Sequence, residues 1–177
     1  HANDGRKLRV TFPHPLRAGV ETTVDIRYKA TPRRGLYFNV PDDHYPDRPR
    51  QIWTQGQDED SRYWFPCHAQ PNQKQTSELI ATVPAGMFAL SNGALVERTE
   101  DPDGRTTTFA WSQEVPHSPY LFTLAAGNFG VVETEGAGVP LQYYAEAGRE
   151  AEAARVLART PEMMQFFVEK LGPYPYP

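Results

Sequence analysis

The sequence predicts a mainly β fold: an antiparallel, saddle-shaped β-sandwich followed by a short C-terminal helical segment. Three observations carry this expectation. Short stretches of alternating apolar and polar residues recur through the first three quarters of the chain, separated by turn residues. The 17 prolines confine helix to a few places, because proline lacks a backbone donor and clashes with the preceding turn. Helical periodicity, finally, appears only after Gly148.

Residues 7–12 alternate, with Leu8, Val10 and Phe12 on one face and Lys7, Arg9 and Thr11 on the other. Pro13-His14-Pro15 and Gly19 punctuate, and residues 21–28 alternate again, with Thr22, Val24, Ile26 and Tyr28 on one side. Residues 35–40 supply Leu36, Phe38 and Val40. Strands over 77–83 and 88–91 are separated by Pro84-Ala85-Gly86. Strands over 94–99 and 106–111 flank a turn that contains Asp103-Gly104, a hairpin signal. Residues 120–126, 129–135 and 140–145 complete the set, and short strands at this spacing suit a sandwich.

Helix follows. Residues 150–158 are alanine-rich and charged, a composition with good helical propensity. Thr160-Pro161-Glu162 reads as a restart, with Thr160 as N-cap and Pro161 at the first helical position. Met164, Phe167, Val168 and Leu171 recur at helical spacing as a core-packing stripe, and Gly172-Pro173 ends the segment.

Composition excludes several classes. A chain of 177 residues suits one sizeable domain, or a domain with an appendage. A globule of that size buries roughly 70% of its unfolded surface, enough for a core without staples. Mean hydropathy is -0.62, yet aromatic residues make up 12%, which argues against disorder. The net charge of -4 with interspersed signs leaves no basic footprint for nucleic acid. No apolar run approaches the ~18 residues of a transmembrane helix. Cys67 is the only cysteine, so no internal disulfide forms, and it reads as a small buried hydrophobe.

No complete catalytic constellation is present. His1, His14, His44, His68 and His117 are scattered, and none lies in a His-Glu-x-x-His helix. One cysteine cannot furnish a thiolate zinc site. His44 beside Asp42 and Asp43 reads as a loop cluster facing water rather than a metal site. Trp64, Trp111 and the nine tyrosines raise the alternative of a carbohydrate-binding face, although strand aromatics more often fill cores or cross-strand pairs. Asp58-Glu59-Asp60 reads as a solvated turn, able also to steer cationic peptide N-termini.

The stretch 51–74, QIWTQGQDEDSRYWFPCHAQPNQK, is different. It sets two neutral amides, Gln55 and Gln57, on either side of Gly56. Alternate residues of an extended segment point the same way, so both glutamines can face one ligand while Gly56 admits a close backbone. Taken alone, two strand glutamines would simply face solvent.

This stretch resembles the N-terminal domain of the aminopeptidase N and leukotriene hydrolase family of zinc metallopeptidases, the gluzincins. In that family a Thr/Ser-Gln-x-Glu/Gln motif leads into Arg, Pro-Cys and Asp-x-Pro-x-x-Lys. Here Thr54-Gln55-Gly56-Gln57, Arg62, Pro66-Cys67, Pro71 and Lys74 fall in place. Ala69 departs, standing where the family usually has Asp, so this turn is expected to be less rigid. The resemblance continues in Ser91-Asn92-Gly93, in Ser118-Pro119-Tyr120-Leu121-Phe122, in Gly127-Asn128-Phe129 and in Gly172-Pro173-Tyr174-Pro175.

The resemblance implies a role for each part. Gln57 would bind the α-amino group of a peptide substrate, and Gln55 would contribute to the substrate-facing wall. A neutral Gln57, where many relatives carry Glu, should attract the ammonium less, because charge-assisted hydrogen bonds are roughly twice as strong as neutral ones. Residues 1–147 would be the N-terminal β domain, incomplete at its start, and 148–177 the beginning of a catalytic domain. The chain would then be a fragment whose principal partner is its own catalytic domain, where zinc is expected. There, two His and one Glu would hold the zinc, a glutamate would act as general base and a tyrosine would stabilise the oxyanion. This chain itself would hold no cofactor, no catalytic residue and no metal. An alternative is a catalytically inactive relative that uses the domain as a scaffold.

Overall fold

The computed structural model describes residues 2–3 and 7–176; His1 lies outside them. It is mainly β, with eleven strands and two α-helices among the described residues. Every strand pairing is antiparallel.

Two sheets build the core. One has four strands: β3 (Leu36–Asn39) beside β4 (Gln51–Thr54), then β9 (Leu124–Gly127), then β6 (Phe88–Ser91). The other has three: β5 (Gln75–Pro84), β8 (Thr106–His117) and β7 (Ala94–Glu100). A two-stranded ribbon, β10 (Phe129–Gly136) with β11 (Val139–Glu146), follows, and β1 (Ala2–Asn3) pairs β2 (Leu8–Arg9) at the start.

The alternation read in the sequence is what the core uses. Thr107, Phe109, Trp111 and Gln113 of β8 are buried at every second position. Their partners on β5 are Val83, Ala81, Leu79 and Ser77. Val83, Phe109 and Trp111 meet Ala89 of β6 and Ala126 of β9, with Ile52, Phe88 and Leu124 packed alongside. Burying a side chain the size of Phe109 contributes about 1.5–3 kcal/mol. The indole N–H of Trp111 donates to the Ala89 carbonyl at 2.9 Å, so its one polar atom enters the core satisfied. The β7–β8 hairpin closes where Asp103-Gly104 predicts it. Asp101 accepts from the Gly104 N–H at 2.8 Å through its carbonyl, and the Asp103 carboxylate caps the Arg105 N–H at 2.9 Å.

Three of the expected strands are corrected. Residues 21–28 alternate but form no strand, and Val24, Ile26 and Tyr28 are exposed. A strand needs a neighbour to take its backbone hydrogen bonds, and none pairs this stretch among the described residues. For the same reason only Leu8–Arg9 of 7–12 is strand. Residues 120–126 are not one strand: Pro119–Leu121 forms a 3-10 turn before β9 begins at Leu124. Proline suits the first position of such a turn, and side chains from elsewhere hold the turn in place, as described below.

The helices are α1 (Glu150–Val156) and α2 (Thr160–Leu171). Thr160 is the first helical residue rather than the cap, which falls on Arg159 with no side-chain bond. The expected core stripe divides. Met164 and Val168 are half-buried, while Phe167 is 54% and Leu171 81% exposed. No described helix is long and apolar enough to cross a membrane.

Candidate functional site

Strand β4 is interior to its sheet, hydrogen-bonded to β3 on one side and β9 on the other. It carries Trp53, stacked on Tyr37 of β3 with centroids 4.5 Å apart. It stops at Thr54, where the hydroxyl accepts the Leu124 N–H at 3.0 Å. Gln55 and Gln57 therefore lie just beyond the assigned strand: Gln55 still donates its N–H to Gly35, its partner in the β3–β4 register, and the chain turns after it. Both side chains are exposed, with Gly56 buried between them. The peptide bond from Gln57 to Asp58 is cis. The two glutamines thus flank Gly56 at the end of an interior strand, Gln55 before the turn and Gln57 within it.

That turn is pinned from behind. The Gln55 N–H donates to the Gly35 carbonyl at 3.0 Å, and the Gly56 carbonyl accepts the Asp60 N–H at 2.7 Å. A 3-10 turn, Asp60–Tyr63, follows at once. Its Ser61 is fully buried and donates its hydroxyl to the Pro119 carbonyl at 2.8 Å. A Cβ on Gly56 would stand 2.4 Å from the Tyr120 carbonyl oxygen and 2.7 Å from the Ser61 hydroxyl, so only glycine fits. Gly35 is needed in the same way: its φ is +79°, and a Cβ there would meet the Asp60 carbonyl oxygen at 2.2 Å.

The segment behind Gly56 is itself tied down. Asn92 donates to the Leu121 carbonyl at 2.9 Å and accepts the Thr123 N–H at 2.7 Å. Ser91 donates to the Thr123 carbonyl at 2.7 Å. Ser118 donates to the Pro71 carbonyl. Phe122 packs its ring on Phe65 and on the buried His117. Sequence motifs that lie far apart, Ser91-Asn92-Gly93, Pro71 and Ser118–Phe122, are thus one assembly around the Gln55–Gln57 turn.

The acidic run beside this turn is largely occupied. Asp60 pairs with Arg34 at 3.2 Å, and Glu59 pairs with Arg62. Burial pushes the Cys67 thiol up, and the Arg62 charge opposes this. Cys67 is half-buried and Ala69 buried. His44 sits in a turn in which the Asp42 carboxylate accepts the N–H groups of His44 and Tyr45, each at 2.9 Å. Among the described residues no three His, Cys, Asp or Glu side chains come together to hold a metal ion. Trp111 fills the core rather than a ligand face. Neither of two open recesses, about 260 Å³ and about 250 Å³, is lined by Gln55 or Gln57. Ser61, Gly35 and Asn92 are the residues whose part sequence reasoning does not assign; their partners are carbonyls and amides far along the chain, which leave no local signal.

The peptidase M1 N-terminal domain family matches residues 1–121. Among individual relatives, aminopeptidase N of Acetobacter pasteurianus is 29% identical over 172 residues, covering 94% of this chain and 47% of that protein. Aminopeptidase B of Rattus norvegicus is 30% identical over 129 residues, 73% of this chain and 19% of that protein. Transcription initiation factor TFIID subunit 2 of Gallus gallus is 34% identical over 103 residues, 57% of this chain and 9% of that protein. The chain thus spans less than half the length of these relatives. With the family matched over most of its length and an antiparallel β architecture to go with it, the chain belongs to the M1 aminopeptidase family and carries its N-terminal domain.

Proposed function

We propose that this domain forms the part of a zinc aminopeptidase that receives the free α-amino group of a peptide, with Gln57 as the acceptor and Gln55 on the adjoining wall. The supporting observation is the turn itself: two exposed amides at the end of an interior strand, on a backbone held by hydrogen bonds from Gly35, Asp60 and the Ser61–Pro119 tie. An ammonium needs acceptor oxygens that do not move away as it arrives. A glutamine side-chain carbonyl on a pinned turn answers that need. Binding the amine at a fixed point is what makes a peptidase remove residues from an N-terminus only.

On this reading residues 1–147 are the N-terminal β domain, residues 148–177 begin the catalytic domain, and that domain is the chief partner. Zinc belongs there. The described residues of this chain offer no ligand set that fits it; what this chain supplies is the contact of Gln57 to the amine. The test uses the intact protein: Gln57→Ala should weaken binding of substrates with a free N-terminus. Unchanged kinetics would remove Gln57 from the pocket.

A second reading is favoured by the match to a transcription initiation factor subunit over 57% of this chain. Here the domain is a scaffold in a relative without peptidase chemistry, a role to which Ala69, in the place of the family's usual Asp, also points. Metal analysis of the intact protein separates the two, since zinc at one equivalent supports the enzyme and its absence the scaffold.

A further inference from the structure

We infer that Ser61 and Gly56 are positioning residues for Gln57, locking its turn against the Pro119–Leu121 segment. This rests on the reading of Gln57 as the amine acceptor. Ser61 is fully buried and has its hydroxyl on the Pro119 carbonyl at 2.8 Å. The next carbonyl along, that of Tyr120, lies where a Cβ of residue 56 would be. The two contacts act on opposite ends of one small loop: Gly56 at its start, and Ser61 directly after Asp60, whose N–H closes the loop onto the Gly56 carbonyl. Gln57 lies between them.

The plate they press against is fixed independently. Asn92 and Ser91 hold Leu121 and Thr123, and Thr54 takes the Leu124 N–H. Movement of the Gln57 turn therefore requires the Ser61 bond or the Gly56 contact to open. Ser61→Ala removes the side-chain donor to the Pro119 carbonyl, which keeps only the Phe122 N–H of its own turn at 3.1 Å, and Gly56→Ala forces the Tyr120 carbonyl away. Either substitution frees the turn while the sheet beneath keeps its own ladder. Because the effect on the amine passes through Gln57, it falls on ligands that carry an amine and not on those that lack one.

The test has two measurements on the intact protein. Hydrogen exchange over residues 54–62 should quicken about tenfold in Ser61→Ala and in Gly56→Ala, with β5 and β8 unchanged. Affinity for an amino-acid hydroxamate, relative to its des-amino counterpart, should fall about threefold to tenfold in the same variants. Ser61→Thr, which keeps the hydroxyl, should restore more of that ratio than Ser61→Ala. Exchange unchanged over 54–62 in both variants, or quickened equally in β5 and β8, overturns the inference. If Gln57→Ala leaves the hydroxamate ratio unaltered, the amine reading fails on its own account, and the exchange data still decide whether Ser61 and Gly56 hold the turn.

Discussion

Ser61 donates its hydroxyl to the Pro119 carbonyl at 2.8 Å, joining two 3-10 turns that stand 58 positions apart. One of these turns directly follows the Gln55–Gln57 pair and the other carries the carbonyl of Tyr120 over Gly56. On the inference above, Gln57 owes its placement to this buried bond, while Gln55 is held by Gly35.

For Gln57, the proposed function sets a magnitude. Gln57→Ala in the intact protein should cost about 1.5–3 kcal/mol of substrate or transition-state binding, read from kcat/KM. Gln57→Glu should tighten amine-bearing inhibitors, because a carboxylate makes the stronger bond to an ammonium. A clear loss of inhibitor affinity in Gln57→Glu would count against the amine contact.

Gly35 should tolerate no side chain. With φ at +79° and the Asp60 carbonyl oxygen 2.2 Å from the Cβ position, Gly35→Ala should destabilise the fold by about 2 kcal/mol or more. Chemical denaturation measures it, and a midpoint equal to that of the parent protein would show that the 60–63 turn yields easily.

Trp111 is tied to the core by its indole N–H as well as its rings. Trp111→Phe keeps an aromatic side chain but leaves the Ala89 carbonyl without the donor it has at 2.9 Å. The expected cost is about 1–3 kcal/mol, visible as a drop in thermal midpoint of several degrees. A variant as stable as the parent would mean that water or a shifted neighbour replaces the bond.

Alkaline pH should weaken the fold. Burial pushes the Cys67 thiol above its ordinary 9.0, with Arg62 opposing. Burial also pushes the Tyr144 phenol above 10.0, and the nearby Glu133 charge adds to this. A folded-state pKa raised above the unfolded value contributes stability that is complete below the unfolded pKa and is lost as pH rises through the folded one. Stability should hold at neutral pH and decline from the thiol range upward, and Cys67→Ala should remove the first part of that decline. Denaturation midpoints across this range check it; a profile identical in the variant would clear Cys67 of any share.

Much of this protein was legible in the residues themselves. The β5, β6, β8, β10 and β11 strands follow from period-2 alternation, since a half-buried strand writes its inner face directly into the chain, whereas β7 is exposed throughout and is marked by the turn that joins it to β8. Asp103-Gly104 marks the hairpin because turn chemistry is local, and the order of motifs from Thr54 to Tyr174 carries the family. Tertiary structure decided the rest. Residues 21–28 alternate like a strand but have no partner among the described residues, and alternation cannot report whether a neighbour exists. Gln55 and Gln57 read as strand residues, yet β4 ends at Thr54: Gln55 keeps one bond to Gly35, and the chain then turns as the Asp60 N–H closes onto the Gly56 carbonyl. Ser61, Asn92 and Ser118 gave no signal as anchors: each bonds a backbone carbonyl far away in sequence, and a hydroxyl or amide looks the same in a sequence whether it faces water or holds a loop. Periodicity records which way a side chain points, while its partner is set only when distant segments pack.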